Sequence, residues 1–119
     1  MKIACTTTGN GLQSPVDPRF GRAQRLIIVD TDTDAFTVVD NAAGAAAAQG
    51  AGIQAAEAVV RAGAVALISG HIGPKAFRAL RASGVKMYTT DAPTVEEAVK
   101  RFKAGSLTEA KSADVNGHW

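Results

Sequence analysis

The sequence predicts a mixed α/β domain, and three observations lead to that class. Short apolar runs of strand length alternate with stretches in which apolar residues recur at helical spacing. Glycines follow the predicted helices, which is typical of helix ends. Before this alternation begins, two apolar runs are separated by only a few turn-forming residues, which favours a hairpin. The predicted order of elements is therefore β, β, β, α, β, α, β, α.

Five strands are predicted, at residues 2–7, 26–30, 35–40, 64–69 and 85–89. The second and third are joined by a short stretch rich in Thr and Asp, so they are expected to pair antiparallel. The fourth has no polar alternation, as is typical of buried parallel strands.

Three helices are predicted. The first covers residues 49–62 and the second residues 75–83, with Pro74 at its start. The third starts at Thr94, which has the capping-box spacing to Glu97, and Gly105 ends it. The expected inner faces are Ile53, Ala56 and Val60 in the first helix, Phe77 and Leu80 in the second, and Val95, Ala98, Val99 and Phe102 in the third.

Right-handed crossovers arrange these elements into a five-stranded mixed sheet of order 3-2-1-4-5, with strand 2 antiparallel. In such a sheet a crevice opens between the carboxyl ends of strands 1 and 4, where ligands bind in open α/β folds. Two loops, residues 8–22 and 70–75, converge on that crevice. The sequence therefore predicts a ligand site at this end of the sheet.

Composition limits the function classes. The chain has 119 residues, enough for one domain, and a formal net charge of +2. This mild basicity suits a small anion better than duplex nucleic acid, which calls for a dense basic surface. The single cysteine, Cys5, excludes an internal disulfide and a metal site made only of cysteines. No signal or membrane-spanning segment is recognised, so we expect a cytoplasmic protein with a domain at residues 1–107 and a tail at 108–119.

The first crevice loop is the most informative segment. Residues 14–22 read Ser-Pro-Val-Asp-Pro-Arg-Phe-Gly-Arg, in which two prolines and a glycine restrict the backbone. Arg19 and Arg22 offer guanidinium groups that can hold an anion. We expect Asp17 to orient one of these arginines rather than to do chemistry. The alternative is a surface loop whose arginines only solvate it.

The second crevice loop begins the second helix. It supplies His71, Lys75 and the N–H groups of a helix N-terminus, which attract anions. Gly70 and Gly73 would let a ligand approach the backbone closely. The alternatives are a capping or packing role for His71 and a solvated surface position for Lys75.

Catalysis finds little support in the sequence. Strands 1 and 4 carry no acidic residues for a two-metal site, and neither a Ser/His/Asp order nor a phosphate-binding loop is present. Cys5 lies in the middle of a strand and is expected to be an inert core thiol. We expect a protein that is not an enzyme.

The sequence resembles the dinitrogenase iron–molybdenum cofactor biosynthesis family, which includes NifX-like and NifB C-terminal-like domains. The resemblance covers residues 1–107 and rests on segments 14–23, 49–53, 69–77, 94–98 and 105–107. Residues 4–11 look most like the orange-protein branch. Many relatives carry a histidine where this chain has Gln49, which leaves His71 as the only histidine in the core motifs.

The resemblance implies a three-layer α/β/α, ribonuclease-H-like fold and a non-enzymatic role in binding metal–sulfur clusters. Its branch implies a molybdenum–copper sulfide cluster held non-covalently, with another molybdenum or iron–sulfur precursor, such as an FeMo-cofactor-like cluster, as the alternative cargo. Implied partners are the cluster and a protein that gives or receives it, with no nucleic acid and no membrane. A regulatory or interaction protein that binds a small anion or a protein in the same crevice is the second hypothesis. The predicted binding residues are Thr8, Asn10, Gln13, Arg19, Phe20, Arg22, Gly70, His71, Ile72, Gly73 and Lys75, with His71 as the metal ligand.

Overall fold

A computed structural model describes residues 1–42 and 50–112 and shows one mixed sheet. Its strands lie in the order β3-β2-β1-β4-β5-β6. β1 pairs parallel with β4, and β4 with β5, whereas β2 is antiparallel to both β1 and β3. The predicted order of the first five strands and the antiparallel second strand agree with this sheet. The strands are β1 (Lys2–Thr7), β2 (Arg25–Asp30), β3 (Phe36–Asp40), β4 (Ala66–Ser69), β5 (Lys86–Thr89) and β6 (Thr108–Glu109).

The predicted count of five strands is wrong, because the part of the chain that the structure describes already forms a sheet of six. β6 pairs antiparallel with β5, placing Glu109 opposite Tyr88, and the N–H of Ala110 donates to the carbonyl of Met87 at 2.7 Å. A two-residue strand is too short to show any periodicity in the sequence. It forms because β5 offers an unpaired edge, and it lies just beyond residue 107, where the domain was predicted to end.

Within the described residues, three helices cover the two faces of the sheet: α1 (Ala51–Arg61), α2 (Pro74–Ala82) and α3 (Val95–Lys103). Alternate residues of β1 point to opposite faces, so each face has its own core. The helices α1 and α2 pack on one face and α3 on the other, which makes a three-layer arrangement. The first core includes Ala4, Leu26, Leu67, Val59, Phe77 and Leu80, and the second Ile3, Cys5, Ile27, Ile68, Val95 and Val99.

The inner face predicted for α1 is partly wrong. Ile53 and Val60 are 40% and 44% exposed, while Ala56 is buried as expected. Small side chains let a helix lie close to its neighbours, so the alanine-rich side of α1 packs inward and the larger residues remain outside. The residues that α1 buries are Ala51, Gly52, Ala55, Ala56, Ala58 and Val59.

The ends of the helices follow their sequence signals. Gly50, at the N-cap of α1, has φ 76°, a left-handed conformation that glycine adopts without strain. Pro74 starts α2, and the Thr94 hydroxyl caps α3 by accepting the N–H of Glu97 at 3.2 Å. The predicted start of α1 at Gln49 lies outside the described residues, as does His118. None of the described helices has the length and apolar character needed to cross a membrane.

Candidate functional site

Loop 8–22 is fixed to the carboxyl ends of the two central strands. The N–H of Asp17 donates to the carbonyl of Thr6 at 3.0 Å, and the Thr6 hydroxyl donates to the Asp17 carbonyl at 2.6 Å. The same hydroxyl lies 2.9 Å from that of Ser69, at the end of β4. Because Thr6 and Ser69 are completely buried, this network holds the loop at the junction of β1 and β4.

The two predicted crevice loops meet directly. Arg19 and His71 form a parallel bridge, in which the N–H of His71 donates to the Pro18 carbonyl at 2.7 Å. The N–H of Phe20 donates to the His71 carbonyl at 3.1 Å. A Cβ on Gly70 would lie 2.6 Å from the Cα of Pro18, so only glycine permits this approach. The convergence predicted from the sequence is therefore present, with Arg19 and His71 side by side and exposed.

Asp17 lies beneath Arg19, holds its backbone and attracts its guanidinium. The Asp17 side chain is 3% exposed, and its Oδ1 accepts the backbone N–H of Arg19 at 3.0 Å. The same oxygen lies 3.8 Å from the Arg19 Nε, whereas the Arg19 side chain is 57% exposed. The expectation that Asp17 orients an arginine agrees with this geometry. The N–H of Arg22 donates to the Arg19 carbonyl at 3.2 Å, which keeps both arginines in one turn.

The N-terminus of α2 begins beside this bridge. Its N-cap is Gly73, and no side chain in the described part of the chain caps it; Pro74 follows, and the first turn contains no acidic residue. The first N–H groups of a helix have no partner within the helix and carry a partial positive charge. Lys75 is exposed in the same turn. A guanidinium, an imidazole, an ammonium group and a helix N-terminus thus come together at one end of the sheet.

Other predicted residues occupy different positions. The Gln13 Nε2 donates to Glu96 Oε2 on α3 at 2.9 Å, so this side chain is held on the opposite helix layer. Phe20 and Ile72 are buried in the core, and there they support the crevice from beneath. Thr8 and Asn10 are exposed, and the Thr8 carbonyl accepts from Arg25 Nη1 at 3.3 Å.

Cys5 is not placed to act as a thiolate ligand. It is completely buried in β1, and this burial raises its pKa to about 12. The thiol is therefore protonated at neutral pH, as expected of a core cysteine. Within residues 1–42 and 50–112, no group of three His, Cys, Asp or Glu side chains is arranged to hold a metal ion. The described site offers positive charge and N–H donors rather than a chelating cage.

Sequence reasoning missed Thr6 and Ser69, which hold the site together. Their signal is weak: each is a hydroxyl residue at the carboxyl end of an otherwise apolar strand. Buried hydroxyls require a hydrogen-bond partner, so two of them at adjacent strand ends indicate a shared contact once the strand order is known.

Comparisons with known proteins give one family model and several similar proteins. The model of the family described as dinitrogenase iron-molybdenum cofactor matches residues 1–105. The apo form of the orange protein from Desulfovibrio gigas is 43% identical, covers 96% of each chain and superimposes with a TM-score of 0.93. A protein from Thermotoga assigned to NifB is 36% identical over 98% of each chain, with a TM-score of 0.84. An uncharacterized protein of Methanocaldococcus jannaschii is 29% identical over 110 residues, which cover 90% of this chain and 89% of that protein.

Proposed function

Because the chain belongs to the dinitrogenase iron-molybdenum cofactor family, we propose that it binds an anionic metal–sulfur cluster non-covalently and acts as a carrier or store, not as an enzyme. The cargo is a molybdenum–copper sulfide cluster or an FeMo-cofactor-like precursor. The likeness to the orange protein agrees with the branch that the motifs indicated and favours the first of these.

One observation carries this proposal: the pairing of Arg19 with His71 beside the uncapped N-terminus of α2. Positive charge and directed N–H donors converge there on a surface held by a buried network. An anion placed at a helix N-terminus gains from the helix dipole and from the first N–H groups together. The geometry therefore supports an anion of some kind at this position.

The chemistry of the donor set then favours a cluster that already carries its own sulfur ligands. Bridging and terminal sulfides complete the metal coordination, so the protein needs to supply charge and hydrogen bonds rather than thiolates. The protonated state of Cys5 and the cationic character of Arg19 and Lys75 suit such a cargo. In this proposal His71 supplies an imidazole at the site, either as a hydrogen-bond donor or as a single metal ligand.

The test is reconstitution of protein purified without oxygen. Tetrathiomolybdate and copper are added, and the visible spectrum and the bound molybdenum and copper are measured after gel filtration. We expect charge-transfer bands and stoichiometric metal. The double substitution R19A/K75A should abolish retention of the cluster, because it removes two cations from the crevice.

A matched control separates this effect from general loss of charge. The variant R81A/K100A removes one arginine and one lysine that are exposed on α2 and α3 away from the crevice. It should retain the cluster. Equal retention by both double variants would refute the electrostatic site, and a colourless, metal-free wild type would favour the second hypothesis, in which the crevice holds a simple anion or a protein.

A further inference from the structure

The outer strand β3 presents an unusual edge. Within the described residues it pairs only with β2, so one side of its backbone has no strand partner. Phe36 and Val38 are 41% and 39% exposed, and they lie opposite Val29 and Ile27 on the α3 side of the sheet. Natural edge strands are commonly protected by lysine, proline or a bulge. Residues 36–40 contain no lysine, arginine or proline.

The apolar surface continues from this edge towards α3. The side chains of Leu12, Val29 and Val99 form the floor of a groove of about 410 Å³ between the sheet and the helix. Asp34, Glu96, Lys100 and Lys103 form its rim. A segment lying along β3 could therefore bury apolar side chains against Phe36 and Val38 and extend one of them towards this groove.

The charge of the hairpin indicates what kind of segment fits. Residues 30–40 contain the four aspartates Asp30, Asp32, Asp34 and Asp40 and no lysine or arginine, in a chain whose formal net charge is +2. Asp34 already pairs with Lys103. Asp40 is exposed, and its Oδ1 accepts the N–H of Ala42 at 2.8 Å. It shares the face of Phe36 and Val38 because strand side chains alternate. Arg25 lies opposite Asp40 on β2 but forms no ion pair with it, and the Arg25 Nη1 instead donates to the Thr8 carbonyl at 3.3 Å. Along β3, the side chains on the α3 side of the sheet are therefore apolar, apolar and acidic in turn.

We propose that β3 docks an extended segment of a partner protein, in which two apolar residues and one basic residue occupy alternate positions. The segment adds a seventh strand to the sheet through backbone hydrogen bonds, its apolar residues cover Phe36 and Val38, and its basic residue pairs with Asp40. β2 separates β3 from the central strands β1 and β4, so the docked strand adds to the sheet edge and not to the strands that end at the crevice.

A second copy of this chain fits the edge less well. If two copies paired antiparallel about Val38, Asp40 of each would face Phe36 of the other. Each carboxylate would then face an aromatic ring of the other copy, with only Arg25 of its own chain as a neighbouring cation, which is unfavourable for a charge leaving water. A basic partner removes this conflict.

The experiment uses short fluorescent peptides and the cluster-free protein, so its outcome does not depend on the proposed cluster. One peptide has Val, Val and Lys at alternate positions with Thr and Ser between them, and its control has Glu in place of Lys. Binding is followed by anisotropy, and docking on the edge by hydrogen exchange at residues 36–40. We expect the Lys peptide to bind and to slow exchange there, and the Glu peptide to bind at least about tenfold more weakly.

Two protein variants give the matched comparison. Val38→Lys places a charge on the edge, whereas Val60→Lys makes the same change at a similarly exposed position on α1. The first should lose at least about tenfold in affinity for the Lys peptide and the second should bind like wild type. The proposal is overturned if both variants lose affinity alike, if the Lys peptide fails to bind, or if it binds without slowing exchange at β3. Self-association in sedimentation that Val38→Lys abolishes would instead assign the edge to a second copy.

Discussion

The N-termini of α2 and α3 both lie against loop 8–22, but they differ in their hydrogen bonds and in the charge of their first turns. At α3 the N–H of Val95 donates to the Ser14 carbonyl at 3.0 Å and that of Glu96 to the Leu12 carbonyl at 2.8 Å. Thr94 caps the next donor, and the first turn carries Glu96 and Glu97. The N-terminus of α3 is therefore satisfied by the chain itself, in both hydrogen bonds and charge.

At α2 the same kind of helix end lacks these features. Its N-cap is a glycine, no side chain among residues 1–42 and 50–112 caps it, and the first turn carries Lys75 instead of an acid. The loop contributes Arg19, beside His71, where at α3 it contributes carbonyl groups. A helix end that carries cations instead of acids costs the fold some stability unless an anion binds there. One loop therefore completes the hydrogen bonds of the α3 N-terminus, whereas at the α2 N-terminus it places a cation, which suits an anionic ligand.

The largest expected effect comes from closing the approach of the two crevice loops. In Gly70→Ala the new Cβ would collide with the backbone of Pro18. The main chain must shift, which costs about 1–3 kcal/mol of stability and separates Arg19 from His71. Urea unfolding measures the first effect and anion or cluster binding the second.

Gly11→Ala is the matched control, because nothing lies within 4 Å of a Cβ at Gly11 and the residue belongs to the same loop. It should leave both stability and binding close to wild type. If Gly70→Ala were equally neutral, the close packing of residues 18 and 70 would not matter for the site.

A smaller effect is expected when α2 is made to resemble α3. Lys75→Glu puts an acid in the first turn of α2, so binding of an anionic cluster should fall by at least about tenfold. The free energy of unfolding should rise by about 0.3–1 kcal/mol, because an acidic side chain interacts favourably with a helix N-terminus. Reconstitution and thermal unfolding would be measured on the same sample. A loss of cluster binding together with a gain in stability is what we expect of a site that lowers the stability of the fold.

The reverse change tests the other half of the comparison. Glu96→Lys gives α3 a cation, but the backbone N–H groups there already donate to Leu12 and Ser14. No anion binding should appear at α3. If Glu96→Lys gained as much anion affinity as Lys75→Glu lost, charge alone, and not the uncapped N-terminus of α2, would define the site.

Much of this arrangement could be predicted from sequence, and the failures have physical reasons. The strand order and the meeting of the two loops follow from crossover rules that depend only on the order of elements. The side of α1 that packs inward could not be predicted in this way. Helical spacing pointed to the face of Ile53 and Val60, but in the structure that face is exposed and alanines pack inward instead. Nor could the sequence show that residues 12–14 cap α3 while Arg19 remains beside α2, since this depends on how one loop folds back across two strand ends.

Cys5 is the one cysteine of the chain, and its removal tests whether a thiol takes part in binding. If the cluster is held by cations and N–H groups at α2, then Cys5→Ala should bind the same amount of molybdenum and copper as wild type. The loss of the buried sulfur creates a small cavity, so stability should fall by about 1 kcal/mol without changing the stoichiometry. Loss of metal in a variant that remains folded, judged by circular dichroism, would instead make the thiol a ligand.

The same variant has a pH signature whose sign is fixed by burial. The pKa of Cys5 rises from 9.0 to about 12 in the folded protein, because the thiolate would be desolvated. The unfolded chain therefore releases this proton first as pH rises. The contribution of Cys5 to the free energy of unfolding is complete below about pH 9 and is lost progressively towards pH 12. Urea unfolding at a series of alkaline pH values should show a steeper loss of stability in wild type than in Cys5→Ala, and parallel curves would mean that the thiol is accessible to water and therefore available as a ligand.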